Sequence, residues 1–320
     1  MQLTQTESKM KDLCSMKMKI GFIGAGKLGT SLALAMSYSG YKINLINSNN
    51  SSSSNALSAF MPKSRATSVA QDIADRCELI FLTTPDDTLG AIVDSIKWNK
   101  KNMVVHCSGA TSLSCLKPIE ILGGKIGTFH PLQTFPQKNL PENILRGITF
   151  AIDSESSITE LLKSIAIKLG SKAIILDPED RALYHASATM VCGFITSIIN
   201  LSIQLWKDFP GGTEGALESL EPLIQTTFNN VKQIGPAQAY TGPIIRGDIA
   251  TISSHLEAIA PLKKEVQDIY TSLCNYGVEI GLETGKLNIV DAENIRSIIS
   301  NYQKIENSRS SNPNKSNVRS

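Results

Sequence analysis

Short apolar runs alternate with helix-like stretches through the first half of the chain. Lys19–Ile23 (KIGFI), Lys42–Ile46 (KINLI), Leu79–Thr83 (LIFLT), Met103–His106 (MVVH), Lys125–Phe129 (KIGTF), Ile148–Ile152 (ITFAI) and Ala173–Leu176 (AIIL) are brief and rich in β-branched residues, which predicts strands. Leu28–Ser39 has helical character, and Gly40 follows it as a stop. Strands separated by helical segments imply a parallel sheet with right-handed crossovers, because parallel neighbours need a long connection. After Leu176 the pattern changes. In Asp177-Pro178-Glu179-Asp180, Asp177 suits a cap, Pro178 the first helical position and the acids the positive end of the dipole. From there to about Tyr302 the pattern is helical without a convincing strand. The expected fold class is therefore α/β, a sheet domain over 19–177 followed by an all-helical domain over 178–302. Residues 1–18 read as a disordered leader. Residues 303–320, rich in Ser, Asn, Lys and Arg, read as a disordered tail unable to bury enough surface to order itself. The run Asn47–Asn55 (NSNNSSSSN) reads as a flexible loop.

Composition narrows the possibilities. A length of 320 residues suggests about two domains. With 42% hydrophobic and 19% charged residues, the chain is neither wholly disordered nor collagen-like. Its 31 basic and 29 acidic residues leave a formal charge of +2, which argues against the concentrated basic face of a nucleic-acid binder. The cysteines (14, 77, 107, 115, 192 and 274) form no CxxC, so reduced thiols in a cytoplasmic protein are expected, without a disulfide framework or structural zinc. Leu183–Trp206 carries no Asp, Glu, Lys or Arg and is long enough to cross a bilayer. Its Ser187, Thr189, Thr196, Ser197, Asn200, Ser202 and Gln204 favour a helix buried in a core or an interface, with no membrane partner. No secretory signal is expected from Met1–Met18.

The most specific local signal is Gly24-Ala25-Gly26-Lys27-Leu28-Gly29, a G-x-G-x-x-G turn between the first predicted strand and the first predicted helix. The first glycine makes the tight turn. The second lets backbone approach a diphosphate, and the third lets helix and sheet pack closely. Free N–H groups of the helix then face the anion. Gly21–Lys27 also spells the start of an ATPase phosphate loop, but Leu28 stands where a Mg²⁺-binding hydroxyl is required. At the end of the second strand, Asn47-Ser48-Asn49 supplies no acid for a ribose 2′-OH, which favours NADP(H) over NAD(H). The LIFLT strand ends in Thr84-Pro85, at the edge where such sheets bind ligands, so these residues are expected beside the nicotinamide with Ser108. Asp86 or Asp87 can cap the helix that follows.

Four histidines sit in suggestive places. His106 precedes Cys107-Ser108-Gly109, His130 opens His-Pro-Leu-Gln, His185 lies beside Tyr184 on a helix, and His255 follows Thr241-Gly242-Pro243-Ile244-Ile245-Arg246-Gly247-Asp248. Each alone fits a structural role; together they suggest a polar crevice. Hydride transfer to C=O or C=N needs a proton donor and an anchor for substrate charge. His185 or Tyr184 could donate the proton, and Arg181 or Arg246 could grip a carboxylate. Arg181, His185 and Thr189 fall on one helical face. Arg246 and Asp248 also fit a plain ion pair.

The succession GAGKLG, LTTPDD, HCSGA, HPLQTF, RALYHASA, YTGPIIRGD and HLEA resembles the Rossmann-like proteins with a DUF-2520 domain, predicted oxidoreductases. These are distantly similar to pyrroline-5-carboxylate reductase, ketopantoate reductase and the β-hydroxyacid dehydrogenases. The resemblance spans roughly 17–302 and implies an NADP-type Rossmann domain, a helical second domain and a homodimer through the helices. Two positions depart from the pattern. Cys192-Gly193 replaces a usual Ser-Asn pair, and Asn47-Ser48-Asn49 lacks an Arg between serines. The expected function is an NADP(H)-dependent oxidoreductase acting on a small polar carbonyl, imine or hydroxy acid. Its expected catalytic residues are His185, Arg246 and Tyr184. The alternative is a non-catalytic nucleotide-binding module that senses redox state or scaffolds a partner, which the missing amide at Gly193 favours.

Overall fold

The computed structural model describes residues 18–137 and 144–310. The chain forms two compact units, 1–195 and 196–320. This break falls inside a helical run, after the boundary expected at 177. The expected leader, apart from Met18, lies outside the described residues.

The first unit is built on eight strands: β1 (Ile20–Ile23), β2 (Ile43–Asn47), β3 (Arg65–Thr67), β4 (Leu79–Leu82), β5 (Met103–His106), β6 (Lys125–Pro131), β7 (Thr149–Ser154) and β8 (Lys172–Ile175). Their order is β3-β2-β1-β4-β5-β6-β7-β8. The direction of winding reverses between β1 and β4, and a crevice opens at the carboxyl ends of strands at such a point. Helices α1 (Lys27–Tyr38), α2 (Ser51–Ala59), α3 (Gln71–Arg76), α4 (Leu89–Ser95), α5 (Lys117–Ile121) and α6 (Ser156–Lys168) accompany the sheet. The apolar residues of the central strands are buried, those of edge strand β8 are not, and Phe22 stacks on Phe81 with ring centroids 5.1 Å apart while Phe129 stacks on Phe150 at 4.0 Å. Gly40, with φ +89°, follows α1 at the turn where Tyr41 N–H donates to Met36 O.

Three expectations need correction, and one strand went unpredicted. The sheet is not wholly parallel: β7 runs antiparallel to β6, a pairing that needs no helical crossover. The serine-rich stretch is not a flexible loop. Asn50 caps it by accepting from Ser52 N–H, and burial of Ser54 and Leu57 makes it helix α2. Short β3, which lacks an apolar run, escaped the pattern. Asp177 stands at the cap position without a side-chain bond; its carbonyl accepts from Asp180 N–H instead.

Helix α7 (Arg181–Thr189) continues through a wide π turn (Met190–Phe194) into α8 (Ile195–Gln204). The run Pro178–Gln204 is long and apolar enough to cross a membrane, and the residues of its most apolar stretch are not buried. Burial in this chain's own core, as its composition suggested, is therefore not found. The second unit holds α9 (Gly212–Ile234), α10 (Pro236–Ala239), α11 (Ile249–Ile259), α12 (Lys264–Glu283) and α13 (Ile289–Ser310), with no strand among the described residues. Ile252, Leu256, Cys274, Val278, Ile295 and Ile299 form its core. The tail expected to be disordered from 303 instead continues α13 to Ser310. Packing of Ile295 and Ile299 anchors the helix, and Gln303 Nε2 donates to Thr271 Oγ1 at 3.2 Å.

Candidate functional site

The glycine turn has the geometry its spacing requires. Gly24 has φ +115°, and a Cβ there would lie 2.7 Å from the Thr83 carbonyl. Its N–H donates to Asn47 O at 2.8 Å, and its own carbonyl accepts from Thr83 Oγ1 at 2.8 Å, which ties the turn to the ends of β2 and β4. A Cβ on Gly29 would collide with Gly24 O, so α1 packs against the turn only because residue 29 has no side chain. At Gly26, by contrast, a Cβ would meet nothing within 4 Å. That empty space belongs to a cavity of about 430 Å³ lined by Gly24–Gly26, Asn47–Asn50, Thr84 and Pro85, among others. Gly26 is also the N-cap of α1 and offers no side-chain cap, which leaves the helix N–H groups to a ligand. The cradle fits a dinucleotide's diphosphate.

The neighbouring residues divide into two groups. Ala25 is buried and Leu28 half-buried, so both shape the turn, while Lys27 is exposed at the start of α1. Asn47 is buried, and its Nδ2 donates to Thr67 O at 3.0 Å, bracing β3. Ser48 is half-buried on the cavity wall, and no acid lines that cavity. Ser108 departs from expectation. Its hydroxyl donates to Asp86 Oδ2 at 2.7 Å and accepts from Thr111 N–H at 2.9 Å. It does not line the cavity; it ties the loop after β5 to the Pro85-Asp86 turn.

Gly109, next to Ser108, leads to a second cluster. A Cβ at 109 would lie 2.7 Å from both His130 Nε2 and His185 Cδ2. His130, near the end of β6, has its Nδ1 2.8 Å from the Tyr184 hydroxyl, and the two rings meet edge to face. His130 and His185 line a cavity of about 620 Å³ with Gln133, Thr134, Thr189, Cys192 and Gly193. The π turn carries the last two, and such turns often occur at functional sites. Burial holds His130 down to about 4, with the charges of His185 and Arg181 adding to the effect and Asp86 opposing it. Burial pushes the Tyr184 phenol up to about 12. His106, fully buried at the end of β5, is held down to about 4, chiefly by desolvation and then by Arg181. His130, Tyr184 and His106 are therefore neutral near pH 7.

Arg181 does not present a free carboxylate clamp. It is only 4% exposed, donating to Asp153 Oδ2 at 2.8 Å and to Thr128 Oγ1 at 3.2 Å. It fastens the start of α7 to β6 and β7, and so sets where Tyr184 and His185 emerge. Arg246 belongs to the second unit, where its exposed guanidinium lies 3.9 Å from Asp248. Asp248 caps α11 by accepting from Thr251 N–H at 3.1 Å. His255, in the same unit, has Nδ1 2.7 Å from the Tyr270 hydroxyl. His130 was visible in the sequence as the start of HPLQ but was not assigned a role. Its pairing with Tyr184, 54 positions away, is a tertiary fact.

Comparison with known proteins agrees with this layout. The Rossmann-like domain profile matches residues 1–131, and the Domain of unknown function DUF2520 matches 148–276. The two profiles match the chain one after the other, each over less than half of its length. Among solved structures, a Bacteroides fragilis protein inferred to be an NADP oxidoreductase is 27% identical, with a TM-score of 0.66 over 81% of this chain and 97% of its own. A Thermotoga maritima protein is 20% identical, with a TM-score of 0.66 over 83% and 99%. Plasmodium falciparum pyrroline carboxylate reductase, solved with NADP bound, is 16% identical, with a TM-score of 0.55 over 88% and 98%. The last two likenesses establish the fold alone. No curated protein sequence matches the chain.

Proposed function

We propose that this DUF2520 chain is an NADP(H)-dependent oxidoreductase that acts on a small carbonyl, imine or hydroxy acid. The observation that carries the reading is the open space at Gly26. The turn is shaped around it, and the neighbouring strand end has no acid to repel a 2′-phosphate. Gly24–Gly29 hold the diphosphate, Asn47 and Ser48 approach the adenosine ribose, and Thr84 and Pro85 border the nicotinamide. When bound, the nicotinamide supplies or accepts a hydride. His185, in the second cavity, gives the accompanying proton to oxygen or nitrogen and regains it from solvent, so reduction consumes one hydride and one proton. The NADP assignment of the Bacteroides fragilis protein supports the cofactor.

Exposed Leu183, Met190, Val191 and Phe194 on one helical run support a homodimer in which a second copy covers them. The proposed setting is the reducing cytoplasm. A second reading rests on Gly193, which offers no side chain to the cavity; it makes the chain a nucleotide-binding module without turnover. Fluorescence titration with the four nicotinamide nucleotides, followed by absorbance assays over keto acids, ketones and cyclic imines, separates the two. NADPH binding with turnover supports the oxidoreductase, and binding without turnover supports the module. Absence of binding to any nucleotide overturns both.

A further inference from the structure

We infer that His130 receives the substrate's carbonyl oxygen or imine nitrogen as a neutral hydrogen-bond donor, with its proton held on Nε2 by Tyr184. This rests on reading the second cavity as the substrate site. The Tyr184 hydroxyl lies 2.8 Å from His130 Nδ1, and the phenol is taken as donor, because the reverse direction would leave its one proton without a protein acceptor among the described residues. A neutral imidazole accepting at Nδ1 must carry its own proton on Nε2. Nε2 is on the side of the ring facing Gly109, where a Cβ would lie 2.7 Å from it, so only glycine at 109 leaves this nitrogen uncrowded by a side chain. His130 lines the cavity, and Nε2 is taken as the nitrogen that serves it.

The surroundings favour a neutral ring. Burial disfavours a second proton most, the coulombic effects of His185 and Arg181 act in the same direction, and Asp86 alone opposes them. No Asp, Glu, Lys or Arg lines the cavity. A neutral donor fixed before the substrate arrives stabilises negative charge growing on an oxygen without giving up a proton. That divides the work: His185 transfers the proton, His130 polarises the acceptor, and Tyr184 acts only through His130 as a positioning residue.

The test uses the ¹⁵N-labelled full chain and two-bond ¹H–¹⁵N spectra, in which His130 is identified by its loss in His130→Gln. The chain has 4 histidines, so the assignment is tractable. The expected result is a His130 ring protonated on Nε2 alone from about pH 8 to about pH 5.5. Tyr184→Phe converts it to a mixture of tautomers. With NADP⁺ present, cyclopentanone, a neutral carbonyl probe, shifts the Nε2 resonance. A proton on Nδ1, a charged ring at neutral pH, or an Nε2 resonance unmoved by the probe up to its solubility limit overturns the proposal.

Turnover gives a second, independent reading. His130→Gln is expected to lower kcat about 100-fold, as loss of one such donor typically does, with NADPH affinity unchanged. Wild-type kcat in that variant also overturns the proposal. Failure of the chain to bind any nucleotide defeats the functional reading instead, and the tautomer result distinguishes the two failures.

Discussion

Replacing Asp153 with Asn removes the negative partner of Arg181 while keeping the side chain's shape. The two side chains are 10% and 5% exposed, and their 2.8 Å contact joins β7 to the first turn of α7. Thr128 Oγ1 also accepts from Arg181, but a neutral hydroxyl cannot balance the guanidinium's charge. A buried guanidinium stripped of its carboxylate costs about 3–5 kcal/mol, because water cannot resolvate it. For a unit of this size that corresponds to a fall in Tm on the order of 10 °C. The double variant Asp153→Asn/Arg181→Met removes both charges and should recover most of the loss. Urea unfolding followed by tryptophan fluorescence measures it. The chain has two tryptophans, so in a Trp206→Phe background the signal comes from Trp98, buried in the first unit. A single variant that loses less than about 1 kcal/mol would show that the pair is solvated and does not anchor α7. So would a double variant as unstable as the single one.

Two further predictions concern the glycine turn and acid. Gly26→Ala should fold with an unchanged urea midpoint yet bind NADPH at least about 10-fold more weakly, since its Cβ enters only ligand space; Gly29→Ala should instead lose stability, since its Cβ meets Gly24 O. Equal loss of stability in both would refute the cradle. His106, held to about 4 in the fold against an unfolded value near 6.5, takes up a proton more readily when unfolded. Its contribution is therefore complete above about pH 6.5 and is lost progressively as pH falls toward about 4, on the order of 3 kcal/mol in all. His130 shifts in the same direction. Urea midpoints that do not move between about pH 7 and about pH 5 would contradict this.

The sheet was legible because its central strands are buried and read as short apolar runs between helices, and β8, though exposed, carries the same run in Ala173-Ile174-Ile175. Strand β3 was not, because Arg65-Ala66-Thr67 is an exposed-to-half-buried edge with no apolar signature. The reversal of β7 is equally silent, since an apolar run such as Ile148–Ile152 carries no direction. The serine run misled for a definable reason. Its helix rests on the Asn50 cap and on the burial of Ser54 and Leu57, and composition reveals neither. The tail misled in the same way, because Gln303 is held by Thr271 on another helix.

The site shows the same division more sharply. The cofactor half is local: three glycines within six residues create a turn, a helix start and an open space, and a reader of the sequence can place all three. The chemistry half is non-local. Arg181 looks like a substrate clamp from its spacing with His185, yet a carboxylate from β7 neutralises it and turns it into a fastener. Ser108 looks like a cavity hydroxyl, yet Asp86 turns it inward. His130 looks like one histidine among four until Tyr184 fixes its ring. In each case a side chain's role is decided by the partner that takes its hydrogen bond or charge, and that partner comes from a different element. The same fasteners that withdraw Arg181 and Ser108 from direct contact hold the β4 turn, the β5 loop and α7. They thereby keep Gly109, His130 and His185 together at one end of the sheet.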